Sequence, residues 1–133
     1  MKHNQVVIEK ASKFDFDTTV GKLLSEAEKR EWKAPAVHDL QQSLAKSGKS
    51  VRPVKVIEIC KPEFSGKLLE LNDERIMSVM MPCRISVYQK DDGKTYTALI
   101  NGGEMAAGMP DKIASVMKAA SDETFEILKV VTE

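Results

Sequence analysis

Two cysteines, Cys60 and Cys83, carry the most chemically specific side chains in this 133-residue chain, and each stands beside a proline: Ile57-Glu58-Ile59-Cys60-Lys61-Pro62 and Met80-Met81-Pro82-Cys83-Arg84-Ile85-Ser86-Val87. A cysteine acts as a nucleophile or soft-metal ligand only as its thiolate, so neighbouring charge and exposure decide what it can do. For Cys60, Arg84 or the N-terminus of a helix starting near Pro62 would favour the thiolate; the competing reading is a small buried hydrophobe. Cys83 aligns with Ile85 and Val87 and reads as core. Two thiolates joined by His38, or by a thioether from Met77, Met80 or Met81, would suit zinc or cuprous copper. There is no Cys-x-x-Cys pair, so only the fold can bring these two thiols together.

The remaining polar candidates are fewer. His3 and His38 are the only histidines. His3 reads as part of the terminus. His38 beside Asp39 reads as a cap or surface residue, with a Cys60–His38 dyad as the catalytic alternative. Glu58 lies on an otherwise apolar strand and needs water or a partner there; Arg84 is the candidate across the sheet. The methionines Met77, Met80, Met81, Met105, Met109 and Met117 bracket a hairpin and suit adaptable core filling better than a cofactor box. Ser47-Gly48-Lys49-Ser50 lacks the glycine spacing of a phosphate loop and reads as a turn.

The elements that must position these residues fit one compact domain over 1–133, since 42% hydrophobic content at this length supports a single core. Lys+Arg and Asp+Glu both number 20, so no basic excess exists for nucleic acid. The apolar run Val6-Val7-Ile8 is too short for a membrane span or secretory segment. A cytoplasmic protein with reduced thiols is expected.

Residues 5–12 read as a strand. From Asp17, with Thr18 or Asp17 as cap, Val20, Leu23, Leu24, Ala27 and Trp32 recur at near-helical spacing. Pro35 stops that helix, 36–40 form a short strand, and 41–46 suit a helical turn or two. Arg52 to Cys60 is the clearest central strand, followed by a helix from Pro62 and a short helical piece over 74–81. Cys83–Gln89 and Lys94–Asn101 pair as a hairpin around Asp91-Asp92-Gly93. Asn101 to Gly108 is a glycine-rich loop, and Pro110 opens a C-terminal helix. The economical arrangement is α+β, a mostly antiparallel sheet with helices on one face. Strand alternation then sends Cys83, Ile85 and Val87 inward, and Arg84, Ser86 and Tyr88 outward with Glu58 and Cys60. On that reading a direct disulfide is excluded unless one cysteine lies just past the regular strand.

The Ile-Cys-Lys-Pro strand, a leucine-rich helix, the Met-Pro-Cys-Arg-Ile-Ser-Val-Tyr strand and a turn-bearing hairpin resemble domain-of-unknown-function family 302. The likeness covers nearly the whole chain, including Phe14-Asp15-Phe16-Asp17-Thr18-Thr19-Val20 and His38-Asp39-Leu40. It implies a small α+β domain similar to the halves of TATA-binding protein, with strand, helix, four strands and a final helix, and homodimers; it implies no reaction. Trp32-Lys33-Ala34 departs from the family's frequent glycine-containing turn, which implies a different helix exit. Three functions follow as expectations: a module binding a small ligand, soft metal ion or partner through a sheet face bearing Cys60, Glu58, Arg84 and Tyr88, with Cys83 and His38 as further candidates; a thiol-dependent redox or sulfur-handling protein using Cys60; or a structural homodimer joined through the open sheet.

Overall fold

The computed structural model describes residues 6–133, so the expectations for His3 and Gln5 lie outside the described residues. The chain runs β1 (Val7–Ala11), α1 (Phe16–Lys29), β2 (Lys33–Asp39), α2 (Leu40–Ala45), β3 (Val54–Cys60), α3 (Pro62–Leu69), a 3-10 helix (Asp73–Met80), β4 (Cys83–Gln89), β5 (Thr95–Ile100), α4 (Gly102–Met105) and α5 (Asp111–Thr132). The strands form one five-stranded antiparallel sheet in the order β1-β5-β4-β3-β2. The expected α+β class and its central hairpin are therefore present. Gly93 turns that hairpin at φ 80°, and Asp92 Oδ1 accepts from the Lys94 amide at 2.8 Å.

Alternation decides what the sheet buries. Ile57 and Ile59 of β3, Ile85 and Val87 of β4 and Leu99 of β5 share one face. They are buried against Val20, Leu23 and Ala27 of α1 and Ile127, Leu128 and Val131 of α5. Burying each such aliphatic side chain contributes about 1.5–3 kcal/mol. A second cluster joins Leu68 of α3, Met77 of the 3-10 helix, Ala106, and Ile113, Val116 and Met117 of α5. α5 thus serves both clusters, its first half closing the second and its last half closing the first.

Local chemistry departs from expectation at three boundaries. The cap of α1 is Asp15, whose Oδ1 accepts from the Thr18 amide at 2.8 Å, and not Asp17 or Thr18. Its carboxyl is held below the ordinary aspartate range by that backbone hydrogen bond. β2 begins at Lys33, three residues before the expected strand, with Pro35 inside an irregular stretch between Lys33 and Ala36. An edge strand tolerates proline at such a bulge because the lost N–H has no ladder partner to abandon. Finally, Gly102 and Gly103 are not loop but the start of α4, capped by Asn101. A Cβ at Gly102 would lie 3.3 Å from Met117 Cε, and one at Gly103 would lie 3.3 Å from the Lys118 Cα. Glycine here permits close approach of α4 to α5.

The exit of α1 is a tight turn built without glycine. The helix ends at Lys29, Glu31 takes φ 67°, and the Trp32 amide returns to Ala27 O at 2.9 Å. Trp32 is therefore not the last residue of the helical stripe but a buried side chain beyond it. Glu31 adopts the left-handed conformation that glycine takes without strain, at a cost of about 1 kcal/mol for a residue with a Cβ. Replacing it, Glu31→Gly, is expected to raise stability by up to about 1 kcal/mol, read as a higher midpoint in thermal unfolding. An unchanged or lower midpoint would contradict this account of the turn.

Candidate functional site

The sequence-expected site residues separate into three places. On the sheet face away from α1 and α5, Glu58 and Arg84 are direct cross-strand partners, and Arg84 Nη2 lies 3.4 Å from Glu58 Oε2. His38 Nε2 lies 3.2 Å from the same oxygen. Glu58 is 14% exposed and shielded by both neighbours, whereas Arg84 is 65% exposed. The expected Glu58–Arg84 pairing is present, and His38 joins it instead of pairing with a thiol.

Tyr88 lies four residues along β4 from Arg84, roughly 13 Å away at strand rise. Its hydroxyl donates to Glu9 Oε2, and Lys90 Nζ reaches Glu9 Oε1 at 2.9 Å. Its ring stacks on Tyr96 with centroids 6.3 Å apart. Burial and then the Glu9 carboxylate push the phenol well above its ordinary value. Tyr88 belongs to this group at the hairpin end of the sheet and does not converge with Arg84 and Glu58.

The cysteines form the third place, and here strand alternation misleads. Cys60 is the last residue of β3, and Lys61-Pro62 at once turns the chain into α3. Its sulfur sits 3.8 Å from Ser65 Oγ of α3. Cys60 lines a small cavity of about 30 Å³ together with Cys83, Ile59, Met80, Met81, Met117, Ala120 and Trp32. The two cysteines therefore share one chamber at the end of the sheet, where the face rule no longer governs Cys60. Both are half-buried and carry no disulfide. Burial, with the neighbouring Cys60 adding to it, pushes the Cys83 thiol up to about 11.

Beside the chamber opens a larger cleft of about 410 Å³. Its wall draws on Val79, Met80, Met81 and Pro82 ahead of β4, on Cys83, Arg84 and Ser86 of β4, on Ala98, Leu99 and Ile100 of β5, and on Met117, Ala120, Ser121 and Thr124 of α5. The lining is mainly apolar, and among the described residues Arg84 is its one charged side chain. Apart from Cys83, Arg84 and the methionines Met80, Met81 and Met117, the sequence reading missed this wall. Single small residues such as Ala98 and Ser86 carry no signal until register places them side by side. Met80, Met81 and Met117 had a signal in the grouping of methionines around the hairpin.

One polar network fixes the geometry of this end. Glu123 of α5 accepts from Trp32 Nε1 at 2.8 Å and from Lys61 Nζ at 2.6 Å, both on Oε1. Burial works against the Glu123 charge, but the hydrogen bonds from Lys61 and Trp32 outweigh it and hold the carboxyl below its ordinary value. The same contact raises the Lys61 ammonium above its own. Among the described residues, no group of three or more histidine, cysteine, aspartate and glutamate side chains is placed to hold a metal ion. The zinc arrangement of two thiolates with His38 is accordingly not assembled, since His38 is not part of the chamber wall.

A five-stranded antiparallel sheet with two long helices on one face, and a cleft at the end of its central strands, defines a small α+β domain. The chain belongs to the family described as domain of unknown function DUF302, whose model matches residues 8–131. Its fold is similar to the crystal structure of an uncharacterized conserved DUF302 protein from Bacillus stearothermophilus, with a TM-score of 0.86 and 15% sequence identity. That match covers 96% of this chain and 99% of the other. No curated protein matches the chain.

Two outcomes test the site's electrostatics. A carboxylate with a depressed value contributes stability above its unfolded value and loses it as pH falls through the folded one; a raised ammonium contributes below its unfolded value and loses it as pH rises. The Glu123–Lys61 pair is therefore complete between about pH 4.3 and 10.4, the unfolded values of the two groups. Glu123→Gln should lower stability at neutral pH by about 1–3 kcal/mol and reduce the loss seen between neutral and acid pH in denaturant titrations. Equal acid dependence in both proteins would contradict it. In Cys60→Ser protein, alkylation of Cys83 should stay slow through pH 9 and accelerate only in the strongly alkaline range; fast alkylation at neutral pH would contradict the burial argument.

Proposed function

We propose that this chain is a non-catalytic binding module whose ligand is a small, mainly apolar molecule with one anionic end, held in the cleft that runs around the end of the sheet from Arg84, Ser86 and Ala98 on its outward face to Met117, Ser121 and Thr124 of α5. The cleft's size and lining carry this reading: about 410 Å³ lies within the range of about 300–1,000 Å³ typical of small-molecule sites, and such sites combine an apolar wall with few polar groups. Arg84 supports the anionic end. Its single ion pair with Glu58 leaves most of its five N–H groups directed to solvent at the rim. Glu58 and His38 then act as the groups that orient Arg84, with Cys83 on the apolar wall.

The partner and thiol readings have narrower support. Val7 and Ile100 are cross-strand neighbours, both exposed, at the rim of the same cleft, and a homodimer that covered them would close over that rim. The shared chamber supports a redox role for Cys60 with Cys83 as its partner. Balanced charge favours partners other than nucleic acid, and a cytoplasmic setting would keep both thiols reduced. Among the described residues, no helix is long and apolar enough to cross a membrane.

Calorimetric titration with decanoate and decanol tests the cleft. Wild-type protein should bind both saturably. Ala98→Phe, which places a ring in the cleft from a strand position that accepts aromatics, should weaken both by about tenfold or more while leaving the unfolding midpoint unchanged. Arg84→Gln should weaken decanoate a few-fold and leave decanol unaffected. Absence of saturable binding, or affinities that Ala98→Phe does not change, would contradict the proposal.

A further inference from the structure

The small chamber carries a second inference, independent of the cleft reading because it rests on donor chemistry and not on the cleft's volume. Among the described residues, five sulfur-bearing side chains from five segments meet in its wall: Cys60 at the end of β3, Met80 at the end of the 3-10 helix, Met81 in the connection that follows, Cys83 at the start of β4, and Met117 on α5. Among the described residues of the wall none is a carboxylate or an imidazole; the other polar side chains are Ser65, Lys61 and Trp32, whose indole N–H is taken by Glu123. At about 30 Å³ the chamber accommodates a single water-sized body.

We propose that this chamber is a binding site for one soft monovalent metal ion, cuprous copper or its analogue silver, held by the thiolates of Cys60 and Cys83 with a methionine thioether as an additional donor. Soft thiolate and thioether ligands select this ion class, whereas hard cations require several oxygen donors and the described wall offers one side-chain oxygen, the neutral Ser65 hydroxyl. Binding replaces two thiol protons: the ion forms two metal–sulfur bonds, two protons pass to solvent, and the resulting complex carries one net negative charge. No electron is transferred. Lys61 at the same wall supplies nearby positive charge, and its bond to Glu123 keeps the start of α3 beside Cys60.

Silver titration under a phosphine reductant, followed by calorimetry and by the rise in unfolding midpoint, is the test. One silver ion should bind per chain, and Cys60→Ser and Cys83→Ser should each lower the affinity at least a hundredfold. Met81→Leu and Met117→Leu preserve side-chain volume, so at least one should weaken silver severalfold without shifting the midpoint of the metal-free protein. Zinc should not compete at equal concentration. X-ray absorption of the cuprous form should report only sulfur neighbours. Ala98→Phe should bind silver as wild type does, which separates failure of this site from failure of the cleft. Two ions per chain, affinity retained in both single-cysteine variants, or nitrogen or oxygen neighbours in the absorption spectrum would overturn the proposal. If a cysteine variant does not fold, the absorption spectrum and the two leucine variants still decide the outcome.

Discussion

The contact between α5 and the end of β3 through Glu123 is the constraint on which the functional end of this domain depends. A single carboxylate oxygen accepts from Trp32, just past α1, and from Lys61, the residue between β3 and α3. Sequence separations of 91 and 62 residues make this a tertiary tie and not a local preference. Because the acceptor sits midway along α5, it sets the position of the helix turns that carry Met117, Ala120 and Thr124. Those turns form one wall of both the chamber and the cleft. Removing the acceptor would leave a buried indole N–H and a half-buried ammonium without their partner, which costs more than the net worth of either bond.

Around that tie the two hydrophobic clusters divide the work. The larger holds the sheet to α1 and the second half of α5, and it keeps β3, β4 and β5 rigid. The smaller is rich in methionine, joining Met77 and Met117 with Met80, Met81, Met105 and Met109 packed around it. Unbranched thioethers adapt their packing more readily than β-branched side chains do. A site walled by a rigid sheet on one side and adaptable methionines on the other can fit ligands of varied shape while the charged groups stay fixed. Glu58, shielded by Arg84 and His38, belongs to the rigid side.

Much of the sheet was legible in the sequence because its signals are local. Val54 to Ile59 between Pro53 and Pro62, and the Asp-Asp-Gly turn, specify strands and a hairpin through neighbours a few residues apart. Glu58 and Arg84 could be paired because a charge on an apolar strand demands a partner. The thiol chamber was not legible, since alternation assigns faces only while a strand continues and Cys60 is where β3 stops. Trp32 was misplaced onto α1 because helical spacing continues through Glu31 even though its backbone does not. The short helix at Gly102 was hidden by its own glycines, which read as loop punctuation but serve the close packing of α4 on α5.

The central claim is that the end of the sheet near Cys83, where Val7 and Ile100 also line the cleft, and not the Tyr88 end, receives a ligand. Backbone amide chemical shifts recorded during decanoate titration test it most directly. The account predicts saturable changes concentrated at Cys83, Ser86, Ala98, Met117 and Thr124, with Glu9, Tyr88 and Tyr96 unmoved. Changes centred on Glu9 and Tyr88, or spread over exposed apolar residues without saturation, would contradict it.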